Sequence, residues 1–103
     1  SEMSVAGTYE TVVKSPMGDQ KGTLTVEPGE GNSWTGKMAG SLGSMDITNG
    51  TREGNTLNWT MDMTVPMPMT LTCNATVDDG GALTGTVNAG AFGDMPLSGQ
   101  RQG

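Results

Sequence analysis

The sequence predicts an all-β fold: an eight-stranded antiparallel up-and-down meander closed into a barrel of the lipocalin or streptavidin shape. Three observations carry this. One long stretch alternates strictly between apolar and polar side chains, glycine-bearing turn signals recur about every 10–12 residues, and no window shows helical spacing. The alternating stretch is 57–77. Leu57, Trp59, Met61, Met63, Val65, Met67, Met69, Leu71, Cys73, Ala75 and Val77 hold its odd positions, and Asn, Thr and Asp hold the even ones except Pro66 and Pro68. Only an extended chain turns a period of two into one apolar and one wet face. The two prolines remove backbone donors and break the ladder, so the stretch reads as a hairpin. A loop centred on Met67 would set Val65 against Met69, Met63 against Leu71, Met61 against Cys73 and Trp59 against Ala75.

The other strands follow in order. The first, 6–14, aligns Gly7, Tyr9, Thr11 and Val13 on one face and ends at Ser15-Pro16-Met17-Gly18-Asp19, a run with proline and glycine at turn positions. The second, 20–27, puts Gly22, Leu24 and Val26 opposite Thr23, Thr25 and Glu27, and Pro28-Gly29-Glu30-Gly31-Asn32 ends it. The third, 33–39, offers Trp34, Gly36 and Met38, and Gly40-Ser41-Leu42-Gly43 turns tightly into the fourth, 44–52, with Met45 and Ile47 inward. After the hairpin of strands five and six, Asp78-Asp79-Gly80-Gly81 turns the chain into the seventh, 82–88, with Leu83, Gly85 and Val87 on one face. The loop Ala89-Gly90-Ala91-Phe92-Gly93 leads to the eighth, 94–101, which aligns Met95, Leu97, Gly99 and Arg101 and places Pro96 at a bulge or an exposed position. Closing such a meander removes its sheet edges and leaves an interior that side chains fill or that holds one small ligand. Inward glycines (Gly22, Gly36, Gly85 and Gly99) let the strands bend. A β-sandwich is the alternative.

The 103 residues suit a single domain with one modest core. A net charge of −6, with five scattered basic residues and no histidine, argues against nucleic-acid and anionic-membrane partners. No apolar run is long enough for a transmembrane helix, and Ser1-Glu2-Met3-Ser4 lacks a basic and apolar signal segment. One cysteine offers no intrachain disulfide. The expectation is cytoplasmic, with an exported form whose signal has been removed as the alternative.

With Gly7-Thr8-Tyr9 on the first strand and Arg101 on the last, the chain resembles the calycin barrels: lipocalins, fatty-acid-binding proteins and avidins. The glycine and threonine texture of residues 80–86 is similar to that of avidins. The resemblance implies a ring on the first strand, here Tyr9 in place of a tryptophan, with Arg101 packed across it to plug one end. It carries over no ligand-contacting residue. The texture also resembles small bacterial barrel domains of unassigned function, found alone or appended to enzymes.

Candidate site residues are the inward ones. Tyr9 and Arg101 either anchor a ligand carboxylate or form the plug, a cation–π contact of about 0.5–2 kcal/mol, and the plug is the favoured reading. Trp34, Met38, Trp59, Met61, Met63, Met69 and Cys73 are candidates for lining a lumen. Methionine is a flexible filler of cores and of promiscuous apolar pockets. Met61, Met63 and Cys73 are also weak candidates for a soft Cu(I) site, against which the lack of histidine counts; no cofactor is expected. Cys73 lacks a histidine to activate it as a nucleophile, and the Asp78-Asp79 pair reads as turn chemistry rather than a calcium loop. Asn49, Asn58 and Asn74 start glycosylation-type triplets that such an Asn- and Thr-rich chain produces by chance. The expected function is therefore a non-enzymatic binding module for a small apolar or amphipathic molecule. The alternative is a filled-core interaction domain that forms a homodimer through apolar loop tips at Leu42, Pro66-Met67-Pro68 and Phe92. An enzyme ranks last, because general acid–base players are lacking.

Overall fold

The computed structural model describes residues 5–41, 43–65 and 67–103. Leu42, Pro66 and the first four residues, on which parts of the sequence reading fall, lie outside the described residues. Eight strands follow one another as β1 (Gly7–Ser15), β2 (Gly18–Pro28), β3 (Ser33–Gly40), β4 (Gly43–Glu53), β5 (Thr56–Met63), β6 (Met69–Val77), β7 (Ala82–Asn88) and β8 (Asp94–Arg101). Each pairs antiparallel with the next, and β1 pairs β8 from Tyr9↔Arg101 to Val13↔Leu97, so the sheet closes into a barrel. The sandwich alternative is thereby excluded. The strands run further into their turns than the sequence indicates: Ser15 faces Gly18 and Gly40 faces Gly43, leaving two-residue connections. A single 3₁₀ turn, Gly90–Phe92, occupies the loop before β8. Among the described residues no helix is long and apolar enough to cross a membrane.

Two departures from strict alternation matter. First, the β5–β6 hairpin keeps its odd face inward but pairs two residues away from the expected register. Met63 faces Met69, Met61 faces Leu71, Trp59 faces Cys73 and Leu57 faces Ala75. The connection spans 64–68, and Val65, expected inward, is exposed. Parity of the buried face fixes register only to within two residues, and the loop length supplies the rest. Second, between Trp34↔Gly50 and Gly36↔Ile47 the β3–β4 register shifts at a bulge. One extra residue in β4 hands the inward face from Met45 and Ile47 to Gly50 and Arg52. Beyond Thr51↔Asn58 the β4–β5 ladder gives way to the Asn49 side chain, whose Oδ1 accepts from Thr60 N at 2.8 Å while Nδ2 donates to Thr60 O at 3.3 Å.

The interior is one apolar cluster drawn from all eight strands, including Tyr9, Leu24, Val26, Trp34, Ile47, Leu57, Trp59, Val77, Leu83 and Leu97. Two glycines permit the tight curvature. A side chain on Gly36 would strike Thr25 O, and one on Gly85 would strike Asn74 O. Of the two readings of Pro96, a bulge or an exposed position, the second holds: it is exposed on β8 opposite Thr86 in an unshifted register.

Candidate functional site

Antiparallel order gives the barrel two unlike ends. The turns β2–β3, β4–β5 and β6–β7 lie at one end with the start of β1 and the end of β8, and the turns β1–β2, β3–β4, β5–β6 and β7–β8 lie at the other.

The terminal end is plugged. Tyr9 is fully buried, and its hydroxyl donates to Val5 O at 2.8 Å. Arg101 lies over the ring, its guanidinium carbon 5.4 Å from the centroid, and donates to the same hydroxyl from Nε at 3.3 Å and Nη2 at 3.1 Å. Asp78 Oδ1 accepts from Gly80 N and Ala82 N at 2.9 Å each, an Asx-type turn. That turn is bound to β8 through Arg101 N→Gly81 O at 2.9 Å and Gln100 Nε2→Gly80 O at 3.0 Å.

The opposite end is different. The apolar side chains that are only half-buried against the core are Val13, Met45, Met63, Met69 and Met95. Val13 is near the end of β1, Met45 near the start of β4, Met63 the last residue of β5, Met69 the first of β6 and Met95 the second of β8. All five therefore ring one mouth. The exposed large apolar residues belong to the loops of that same end: Met17 in the β1–β2 turn, Val65 and Met67 between β5 and β6, and Phe92 before β8. Just inside the rim, Met38 faces Met45 and Met61 faces Leu71; both of these methionines are buried.

Deeper still, Trp34 and Trp59 meet edge to face, with centroids 5.4 Å apart and planes at 73°. Their indole nitrogens fare unequally. Trp34 Nε1 donates to Thr51 O at 2.8 Å. Trp59 Nε1 is buried and has no hydrogen-bond partner among the described residues. A buried unsatisfied donor costs about 1–3 kcal/mol. Such an exception in an otherwise satisfied interior calls for an explanation.

The candidate residues named by the sequence thus separate into three levels. Met63 and Met69 stand on the rim with Met38 and Met61 just within; Trp34, Trp59 and Cys73 lie in the interior; Tyr9 and Arg101 are engaged with each other at the far end. Val13, Met45 and Met95 are residues that the sequence reading placed on strand faces but did not name as lumen candidates. The available signal was their position next to the turns of one end. The Met61, Met63 and Cys73 grouping does not survive the corrected register, because Cys73 faces Trp59 and Met63 faces Met69. Burial also pushes the Cys73 thiol up to about 12, so at neutral pH it is a protonated core group rather than a thiolate ligand. Among the described residues no three His, Cys, Asp or Glu side chains gather at metal-binding distance. Two open concavities lie along the barrel wall. One, of about 290 Å³, is lined by Trp59 and Cys73 together with the polar residues Asn49, Thr51, Asn58, Thr60, Thr72 and Asn74. The other, of about 400 Å³, lies over β2 to β4 between Glu27 and Thr48.

Neither a family model nor a curated protein sequence matches the chain. Solved structures do. A redesigned β-barrel superposes with a TM-score of 0.77 at 14% identity, covering 96% of this chain and 92% of that one. The redesigned β-barrel mFAP1, bound to DFHBI, superposes with a TM-score of 0.73 at 15% identity, covering 98% of this chain and 100% of that one. At such identities the likeness speaks for the fold alone. The chain is similar to small closed β-barrels.

Proposed function

We propose that the protein is a non-enzymatic binding module that takes a small apolar or amphipathic molecule through the methionine-rimmed mouth. The observation that carries this reading is the asymmetry of the barrel. One end is sealed by Tyr9 and Arg101, whereas, among the described residues, the half-buried apolar side chains packed on the core cluster stand at the other. Thioether side chains are flexible and polarizable, so such a rim can reshape around a guest at small cost. A barrel of the same fold and nearly the same length bound to DFHBI supports the dimensions this requires. The test is titration with Nile red, an uncharged apolar dye. Saturable 1:1 binding is expected, weakened at least tenfold by Met63→Lys or Met95→Lys, rim positions where a lysine reaches water without unfolding the barrel. Non-saturable binding, or binding indifferent to both variants, would refute the reading.

A second reading rests on the exposed Met17, Val65, Met67 and Phe92, a clustered apolar surface of the kind that marks contact sites. On that reading two copies meet through this end. Sedimentation velocity would then show a concentration-dependent dimer that Phe92→Ser converts to monomer; a single monomeric species at high concentration would dismiss it.

A further inference from the structure

We infer that Trp59 Nε1 is the hydrogen-bond donor to the guest of this barrel, and that the guest is an apolar molecule bearing one neutral carbonyl-type acceptor, such as a ketone or an ester. The inference rests on the binding-module reading and deepens it. Both indoles are buried, and the fold satisfies Trp34 Nε1 with a strand carbonyl while Trp59 Nε1 meets no acceptor among the described residues. Indole N–H only donates, so its missing partner is an acceptor. The surroundings decide that acceptor's charge. Along β5, Trp59 has Leu57 and Met61 as its inward neighbours, and across the ladder it faces Cys73 between Leu71 and Ala75. Every one of these is buried and uncharged; Arg101 is held on the Tyr9 hydroxyl at the plugged end, and Arg52, opposite Leu57 toward that same end, is engaged with Gly54 O at 2.9 Å. A carboxylate or phosphate beside Trp59 would lose its hydration without gaining a cation, which buried charges require. A neutral carbonyl loses far less and recovers one hydrogen bond. The half-buried methionines at the mouth, flexible and apolar, suit the remainder of such a molecule.

The test uses a matched pair of probes, propiophenone and propylbenzene, which differ by a carbonyl in place of one methylene. Binding to the intact protein and to Trp59→Phe is followed by NMR with ¹⁵N labelling, the Trp34 and Trp59 indole resonances being assigned in the intact protein by through-bond and through-space connectivities. The preference for ketone over hydrocarbon is expected to fall about three- to tenfold in the variant, the worth of one neutral hydrogen bond. In the intact protein propiophenone should move the Trp59 indole proton downfield, propylbenzene should not, and the Trp34 indole, already bonded to Thr51 O, should hold its position. This spectral arm stands even where Trp59→Phe fails to fold. Equal preference in both proteins, or a Trp59 resonance unmoved by bound propiophenone, would overturn the inference and leave the binding module standing. If neither probe binds saturably, both fall together.

Discussion

Replacing Tyr9 by phenylalanine would test the sealed end atom by atom. The ring stays, and with it the packing of a fully buried side chain and the stacked Arg101; only the hydroxyl is removed. Its loss strands the carbonyl of Val5, a residue only 2% exposed, and takes an acceptor from the Arg101 guanidinium. A buried unsatisfied carbonyl costs about 1–3 kcal/mol. Arg101 is half-buried, so water replaces most of what it loses and its share is small. The expected destabilisation is about 2 kcal/mol, which for a domain of this size lowers Tm by about 8–16 °C. Urea unfolding followed by tryptophan fluorescence would measure it as a lower midpoint at unchanged m-value. Because the mouth is at the other end of the barrel, Nile red affinity should not change. A loss below about 0.5 kcal/mol would refute the hydrogen-bonded plug and leave only packing to close that end.

Two further outcomes follow from the interior. Burial raises the Cys73 thiol from its ordinary 9.0 to about 12; the unfolded chain ionises first, so stability from this group is intact below pH 9 and declines as pH rises from about 9 toward 12. Cys73→Ala should remove that component, seen as a shallower alkaline fall in the urea midpoint than in the parent; identical slopes would contradict a protonated core thiol. At the bulge, the Trp34 ring lies where a Gly50 side chain would be. Gly50→Ala should therefore cost about 1–3 kcal/mol by overpacking and disturb the Trp34 Nε1→Thr51 O bond, visible as a shift of the Trp34 indole resonance. A variant as stable as the parent would place the ring elsewhere.

Much of the architecture was legible because a strand's two faces are written directly into alternate residues. Residues 82–88 and 94–101 were bounded correctly from alternation and flanking glycines alone. The β5–β6 register was not, since sliding one strand by two residues buries the same face. The bulge in β4 left a faint trace: an unbroken odd face would have buried Asn49 and Thr51, both of them exposed, and left outward the buried Gly50. Of the site, the methionines were visible as inward residues, but not their division between rim and interior. That division depends on the end at which each strand's inward residues finish, and so on the completed topology.

By itself the sequence determined an all-β meander, its inward face and the residue types that fill it, because these follow from local periodicity and turn chemistry. The calycin resemblance already implied the Tyr9–Arg101 plug, but tertiary structure alone decided that the opposite end is the one ringed by methionine. It also decided that one buried indole has a partner and the other has none among the described residues. Those facts depend on closure between β1 and β8, which joins Tyr9 to Arg101 across almost the whole chain. They depend equally on register, which sets each inward residue's depth in the barrel. Neither quantity is carried by any short window of residues.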